Sequence, residues 1–341
     1  MDKERYLKKL EEALSESSSS IPESLACIRY ASNLLTFDFP VIFDRTHLAH
    51  LLGIKPSDLS ALIYSIDSYC YHEFHLAKKS GGMRVINIPS VDLKDIQRWI
   101  LDNIISKMHI SEFANGFCKG KSILTNALSH IDQECVINLD IKDFFPSVGI
   151  DRVFMLFKYY GYTKEVSFAL AKLCTYRGIL PQGSPASPAI SNVICLKLDK
   201  RLSKLAESYN GVYSRYADDL TLSGTKNITQ LIPTVIAIVE EEGFCVNAQK
   251  THIAYAHERQ KVTGLLVNEG KVRVSQKYKR RLRQEIYFCQ KFGVSDHQKY
   301  CNENFQFFKE HLYGKAYFVS MVEPEVGNAF LEALDNIAWE Y

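Results

Sequence analysis

The sequence predicts an α+β fold of two or three packed subregions, and three observations carry that prediction. Short apolar strands stand at residues 136–141 and on both sides of Ala217-Asp218-Asp219, among stretches patterned as helix. The region after about residue 278 is helical and rich in aromatic side chains. With 341 residues, 46% hydrophobic and 23% charged, the chain can bury a sizeable core and has an ordinary globular composition.

Composition excludes several classes. No apolar run approaches the roughly 20 residues of a membrane span. The start, Met1-Asp2-Lys3-Glu4-Arg5, lacks the apolar run of a signal peptide. Nine cysteines, an odd number without a Cys-x-x-Cys pair, point to reduced thiols in a cytoplasm rather than a disulfide or zinc framework. A net charge of +2 implies no nucleic acid by itself, but between Lys271 and Arg283 there are seven cations and no acid.

Taken in order, residues 2–14 form an amphipathic helix with Tyr6, Leu7, Leu10 and Leu14 on one face. The serine run 15–20 breaks the chain, and a second helix follows Pro22. Residues 46–66 have the spacing of a helix-turn-helix. The second helix carries Leu59, Leu62 and Ile63 and almost no donors for base edges, so packing is the better reading. Residues 78–89 form a glycine-tipped hairpin with Lys79 and Arg84 on its arms, a pairing that suits a polyphosphate as well as a solvated surface.

A helix over 92–108 leads to the basic glycine loop Asn115-Gly116-Phe117-Cys118-Lys119-Gly120-Lys121-Ser122 and then to Asn126-Ala127-x-x-His130. The strand 136–141 ends on Asp140, a residue ill suited to a core and well suited to a metal. Phe144-Phe145-Pro146-Ser147 turns into helix over 152–177. Three prolines and a glycine stiffen the loop 180–188, which places the Gln182 amide ahead of a helix over 189–205. The hairpin 213–223 then pushes Asp218 and Asp219 out at its tip, at the edge of apolar strands. Further strands are expected near 243–251 and over 261–267, before the basic stretch Lys279-Arg280-Arg281-Leu282-Arg283 opens a helical tail. Its aromatics serve both a helical core and base stacking.

Asp140, Asp218 and Asp219 need one explanation. A strand end beside a hairpin tip makes an acidic cluster that would hold two Mg²⁺ ions about 3.5–4 Å apart, as in-line displacement at phosphorus requires. Lys79 and Arg84 would offset the charge of a triphosphate.

The ordered set Asp140-Ile141-x-x-Phe144-Phe145, Leu180-Pro181-Gln182-Gly183 and Tyr216-Ala217-Asp218-Asp219 resembles the reverse transcriptases. Asn126-Ala127-x-x-His130 and Val262-Thr263-Gly264 look like the two extra signatures of the retron branch of that family. The resemblance covers roughly residues 78–267 and implies a right-hand polymerase. On that basis residues 1–45 are an N-terminal helical extension, 46–260 fingers and palm, and 261–341 an RNA-binding thumb.

The resemblance also implies roles. Asp140, Ile141, Asp218 and Asp219 would hold the metals, and Lys250 would protonate pyrophosphate. Phe145 would exclude a 2′-hydroxyl, and Gln182 would contact the incoming deoxyribonucleoside triphosphate. Asn126, His130, Val262, Thr263, Gly264, Lys279, Arg280, Arg281 and Arg283 would bind RNA. Retron enzymes start DNA from the 2′-hydroxyl of a guanosine in their own noncoding RNA (msr–msd). The product is a branched RNA–DNA hybrid (msDNA), and many such systems pair the enzyme with an effector (toxin) protein against phage. A group II intron or phage-exclusion reverse transcriptase, and an inactive RNA-binding scaffold, are the alternatives.

Overall fold

The computed structural model describes residues 3–16, 20–77, 81–301 and 307–339. They form two compact units. One takes the chain up to Glu112 together with Lys142–Lys200 and Glu240–Cys245, and the other takes the remainder.

Among the described residues, the regular structure of the first unit is helix apart from one hairpin. Its helices Ile21–Thr36, Arg45–Leu52, Pro56–Tyr69, Val91–Asn103, Ile150–Tyr159 and Lys164–Cys174 bury Leu34, Leu48, Leu59, Ile63, Ile100, Phe157 and Leu170. The Asp44 carboxylate caps the second of these by accepting from the His47 amide, and Gly53 ends it at φ 71°. Leu59, Ile63 and Ile66 of the next helix all point inward, so the 46–66 pair packs. The expected single helix over 152–177 is two, broken where Gly161 takes φ 103°. Strands β1 (Tyr71–Ala77) and β2 (Met83–Pro89) pair antiparallel, with Leu76 opposite Arg84. The hairpin's tip, including Lys79, lies outside the described residues, as does the serine break at 17–19.

The second unit is built on a sheet of order β4-β5-β3-β6, from β3 (Cys135–Asp140), β4 (Val212–Tyr216), β5 (Asp219–Gly224) and β6 (His252–Tyr255), all antiparallel. Strand alternation then sorts the side chains. Asp140, Asn138 and Val136 share one face with Asp219, Thr221, Ser223 and Ser214. The other face carries Ile137, Leu139, Leu220, Leu222 and Tyr213, all buried.

The segment 261–267, expected to be one strand, is a tight hairpin of β7 (Lys261–Val262) and β8 (Leu265–Leu266). Thr263 at φ 46° and Gly264 at φ 85° make the turn, and positive φ at both central residues is the type I′ arrangement that matches strand twist. The four helices Gln276–Phe292, Val294–Cys301, Phe308–Val322 and Pro324–Asp335 follow. Leu282, Leu312, Val319 and Phe330 from these helices share one apolar cluster with Val262, Leu265, Ala127 and Val136. The basic helical region therefore belongs to the same compact unit as the sheet.

Candidate active site

Sheet register brings the acids together. Asp140, the last residue of β3, pairs directly with Asp219, the first of β5. Like charges directly opposite on one face repel, so a carboxylate pair in this position calls for a cation. Asp218 precedes it in the two-residue turn, and the Ile141 amide donates to the Asp218 carbonyl at 2.9 Å, tying the turn to the end of β3. The Ile141 side chain is buried, so this residue offers a ligand only through its backbone.

Lys250 supplies a positive charge against Asp140. A short turn, Ala248–Lys250, sets its Nζ 2.7 Å from each oxygen of the Asp140 carboxylate. Asp140 is 6% exposed. Its carbonyl accepts from the Asn247 amide at 2.7 Å, and the Asn247 side-chain Nδ2 lies 3.4 Å from Oδ1. This bond to Asp140 raises the Lys250 pKa, and the charges of Asp218 and Asp219 add to the effect. Asp219 is pushed up to about 6, first by burial and then by the Asp218 and Asp140 charges, with Lys250 pulling the other way. Because Asp219 remains open to solvent at the strand end, water weakens both effects but not their direction.

Among the described residues no three Asp, Glu, His or Cys side chains lie close enough together, as placed, to hold a metal ion. Two facing carboxylates, a third in the adjoining turn and an ammonium against one of them are nevertheless a donor set that fits a hard divalent cation. Asn247 is the site residue that sequence reasoning missed; its nearness to Lys250 was the available signal.

The nucleotide candidates lie in the first unit. The Gln182 carbonyl accepts from the Asn87 amide of β2 at 2.7 Å, zipping the proline loop to the hairpin that carries Arg84. Gly183 at φ 134° is required there, because a Cβ would run into the Asn87 carbonyl oxygen. Arg84 is exposed, and Phe145 is half-buried with its ring centroid 5.4 Å from that of Phe144.

Several RNA candidates face inward instead. His130 is 0% exposed, with Nδ1 2.6 Å from Ser223 Oγ and Nε2 2.7 Å from Ser214 Oγ, so it staples β4 to β5. Asn126 is equally buried, and neither of its amide atoms has a hydrogen-bond partner among the described residues. Ser122 caps the helix Ile123–Leu128, accepting from the Leu124 and Thr125 amides. Val262 is buried, and Thr263 spends its hydroxyl on the Ile123 carbonyl at 3.1 Å. Gly264 is exposed. Lys279 is buried and bonded to both Glu323 oxygens at 2.9 and 2.8 Å, so it holds helices together. Arg281 pairs with Glu285 at 2.9 Å, and Arg283 lies 5.6 Å over the Phe330 ring. Arg280 and Lys277 are exposed on the same helix.

An antiparallel sheet presenting carboxylates at the end of a central strand and at a neighbouring two-residue turn is the arrangement that a nucleotidyl-transferring polymerase palm would use. Residues 76–277 match the family model described as reverse transcriptase (RNA-dependent DNA polymerase). The chain is 37% identical over 270 residues to the retron Ec86 reverse transcriptase of Escherichia coli, an alignment covering 77% of this chain and 84% of that one. It is 38% identical over 328 residues to the retron Mx162 reverse transcriptase of Myxococcus xanthus, covering 85% and 66% respectively. For the retron Mx65 enzyme of the same organism the values are 37% over 275 residues, 75% and 62%. The chain belongs to the retron reverse transcriptases and is an RNA-directed DNA polymerase. Among the described residues no helix is long and apolar enough to cross a membrane.

Proposed function

We propose that this polymerase copies its own structured noncoding RNA, starting DNA from the 2′-hydroxyl of a guanosine in that RNA to give a branched RNA–DNA hybrid. The observation that carries the catalytic part is the direct cross-strand pairing of Asp140 with Asp219 beside Asp218, with Lys250 as the local counter-charge. Asp140, Asp218, Asp219 and the Ile141 carbonyl would hold two Mg²⁺ ions, which when bound supply charge neutralisation and a lowered pKa for the attacking hydroxyl.

The chain's own side chains do the rest. Arg84 and Lys79 bind the triphosphate, and Gln182 orients the incoming nucleotide from a loop fixed to β2. Phe145 fills the space that a ribose 2′-hydroxyl needs. Lys250, already carrying a proton against Asp140, delivers it to the departing pyrophosphate. Arg280 grips RNA phosphates, and Gly264 lets a backbone approach the β7–β8 turn. We extend the reading to a cytoplasmic bacterial enzyme acting with an effector protein in phage defence; the support from the relatives is their retron type alone.

Asp218→Asn tests the site. It removes charge and not volume, so folding should persist while extension is lost, and near wild-type extension would end the metal assignment. Priming is tested by copying the cognate RNA and treating the product with a 2′–5′ debranching activity, which should release the DNA from the RNA; a product that such treatment leaves unchanged would refute the branch.

A further inference from the structure

We infer that Gly116 and Arg215 are positioning residues that clamp the turn carrying Asp218. The inference rests on the carboxylate reading above.

Ala217, first residue of that turn, sits at φ 56°, a left-handed conformation that L side chains rarely adopt. Such strain persists only where the surroundings over-determine it. Here they do so through backbone groups. Residues 113–116 run parallel along β4. The Arg215 amide donates to the Phe113 carbonyl at 2.9 Å, and the Asn115 amide donates to the Arg215 carbonyl at 2.7 Å. That segment is itself held, because Lys121 Nζ donates to the Ala114 carbonyl at 2.9 Å and the Thr125 hydroxyl to Asn115 Oδ1 at 3.1 Å. The basic glycine loop of the sequence thus spends Lys121 on this support.

Gly116 then meets the turn. A Cβ on Gly116 would lie 2.5 Å from the Ala217 nitrogen and 3.1 Å from the Tyr216 carbonyl carbon. Gly116 does not have positive φ, so glycine is required there by close approach and not by conformation. From the apolar face of the sheet comes Arg215, 0% exposed, whose Nη1 donates to the Ala217 carbonyl at 3.2 Å. Ile141 holds the Asp218 carbonyl at 2.9 Å. The turn is therefore held by hydrogen bonds at the Ala217 and Asp218 carbonyls, with Gly116 leaving no room for a Cβ beside the Ala217 nitrogen. Small displacements of groups at a reacting centre are expensive in rate, which gives this grip its function.

The test measures primer extension by Gly116→Ala, Ala217→Gly and Arg215→Lys, with Asp218→Asn in parallel. For each variant kcat, KM for the deoxyribonucleotide, the Mg²⁺ concentration giving half-maximal rate and the urea midpoint are recorded. Gly116→Ala should lower kcat at least tenfold and raise the Mg²⁺ requirement severalfold. Its nucleotide KM should stay within about twofold, since Gln182 and Arg84 are untouched. Ala217→Gly relieves the strain, so its urea midpoint should hold or rise while kcat still falls severalfold. Arg215→Lys keeps the charge and loses the planar fork, so its kcat should fall in the same way. A wild-type kcat and Mg²⁺ requirement in Gly116→Ala overturns the clamp, as does a wild-type kcat in Ala217→Gly should Gly116→Ala fail to fold. Either result with Asp218→Asn inactive removes the clamp and leaves the carboxylate site standing. An active Asp218→Asn removes the site itself.

Discussion

Acidification from pH 7 to pH 4 should loosen the β4–β5 ribbon through one side chain, His130. Its two ring nitrogens lie 2.6 and 2.7 Å from the Ser223 and Ser214 hydroxyls. Burial lowers its pKa to about 4 from the ordinary 6.5. Between those values the unfolded chain takes up a proton that the folded chain refuses. The stability held by the neutral ring is therefore complete above about pH 6.5 and drains away as pH falls through the folded pKa. At about 1.4 kcal/mol per pH unit, a depression of this size corresponds to roughly 3 kcal/mol lost by pH 4. His130→Gln cannot titrate. At pH 7 it should be the weaker protein by about 1–2 kcal/mol, because one of two buried hydroxyls loses its partner. Amide hydrogen exchange of β4 and β5, in both proteins at pH 7, 5.5 and 4, isolates the effect, since every other titrating group cancels in the difference. The wild-type advantage should shrink and then reverse, moving by roughly 3 kcal/mol over the range. A difference independent of pH would refute the assignment of the acid sensitivity to His130.

Three further outcomes follow from the geometry. Phe145→Ala should raise ribonucleotide incorporation relative to deoxyribonucleotide, and an unchanged ratio would place the steric gate elsewhere. Replacing Lys277 and Arg280 together by Gln should flatten the log–log salt dependence of RNA binding by about 1.4–1.8, whereas Lys279→Met should leave that slope alone and cost about 3 kcal/mol by stranding Glu323; equal slopes for wild type and the double variant would show that this helix does not grip phosphate. Gly264→Val forces a β-branched residue to φ 85° in open space, so it should impair synthesis from the cognate RNA more than extension of an annealed primer, while Gly264→Asn, which tolerates that backbone, is spared; equal loss on both substrates would mean that the glycine serves only the turn.

The placement of the three carboxylates was legible because it depends on alternation and order along the chain. A hairpin tip with two acids and a strand ending in a third place those acids side by side once the strands pair antiparallel, whatever surrounds them. The orientation of cations and polar groups was less legible. Lys279 sits in a run of positive charge that reads as solvent-facing, yet its helix turns it toward Glu323. Arg215, a charge in a short strand, gave no sign of being fully buried. His130 follows a helix of six residues, too short for periodicity to say which way it points. The β7–β8 turn was hidden because Thr263, a β-branched residue in left-handed conformation, breaks the rule by which turns are found; only Gly264 hinted at it.

The bond from the Thr263 hydroxyl to the Ile123 carbonyl joins segments 140 residues apart, and Val262 lies in one apolar cluster with Ala127. The segments 122–130 and 261–266 are thus halves of one joint, and they set where this enzyme can be cut and recombined. A chimera that takes everything from residue 261 onward from a relative inherits a hairpin shaped for the other parent's short helix. Grafts that carry residues 122–130 along with the C-terminal region keep the joint whole. Those that leave them behind set a foreign hairpin against a native helix, however well the helical bundle itself folds.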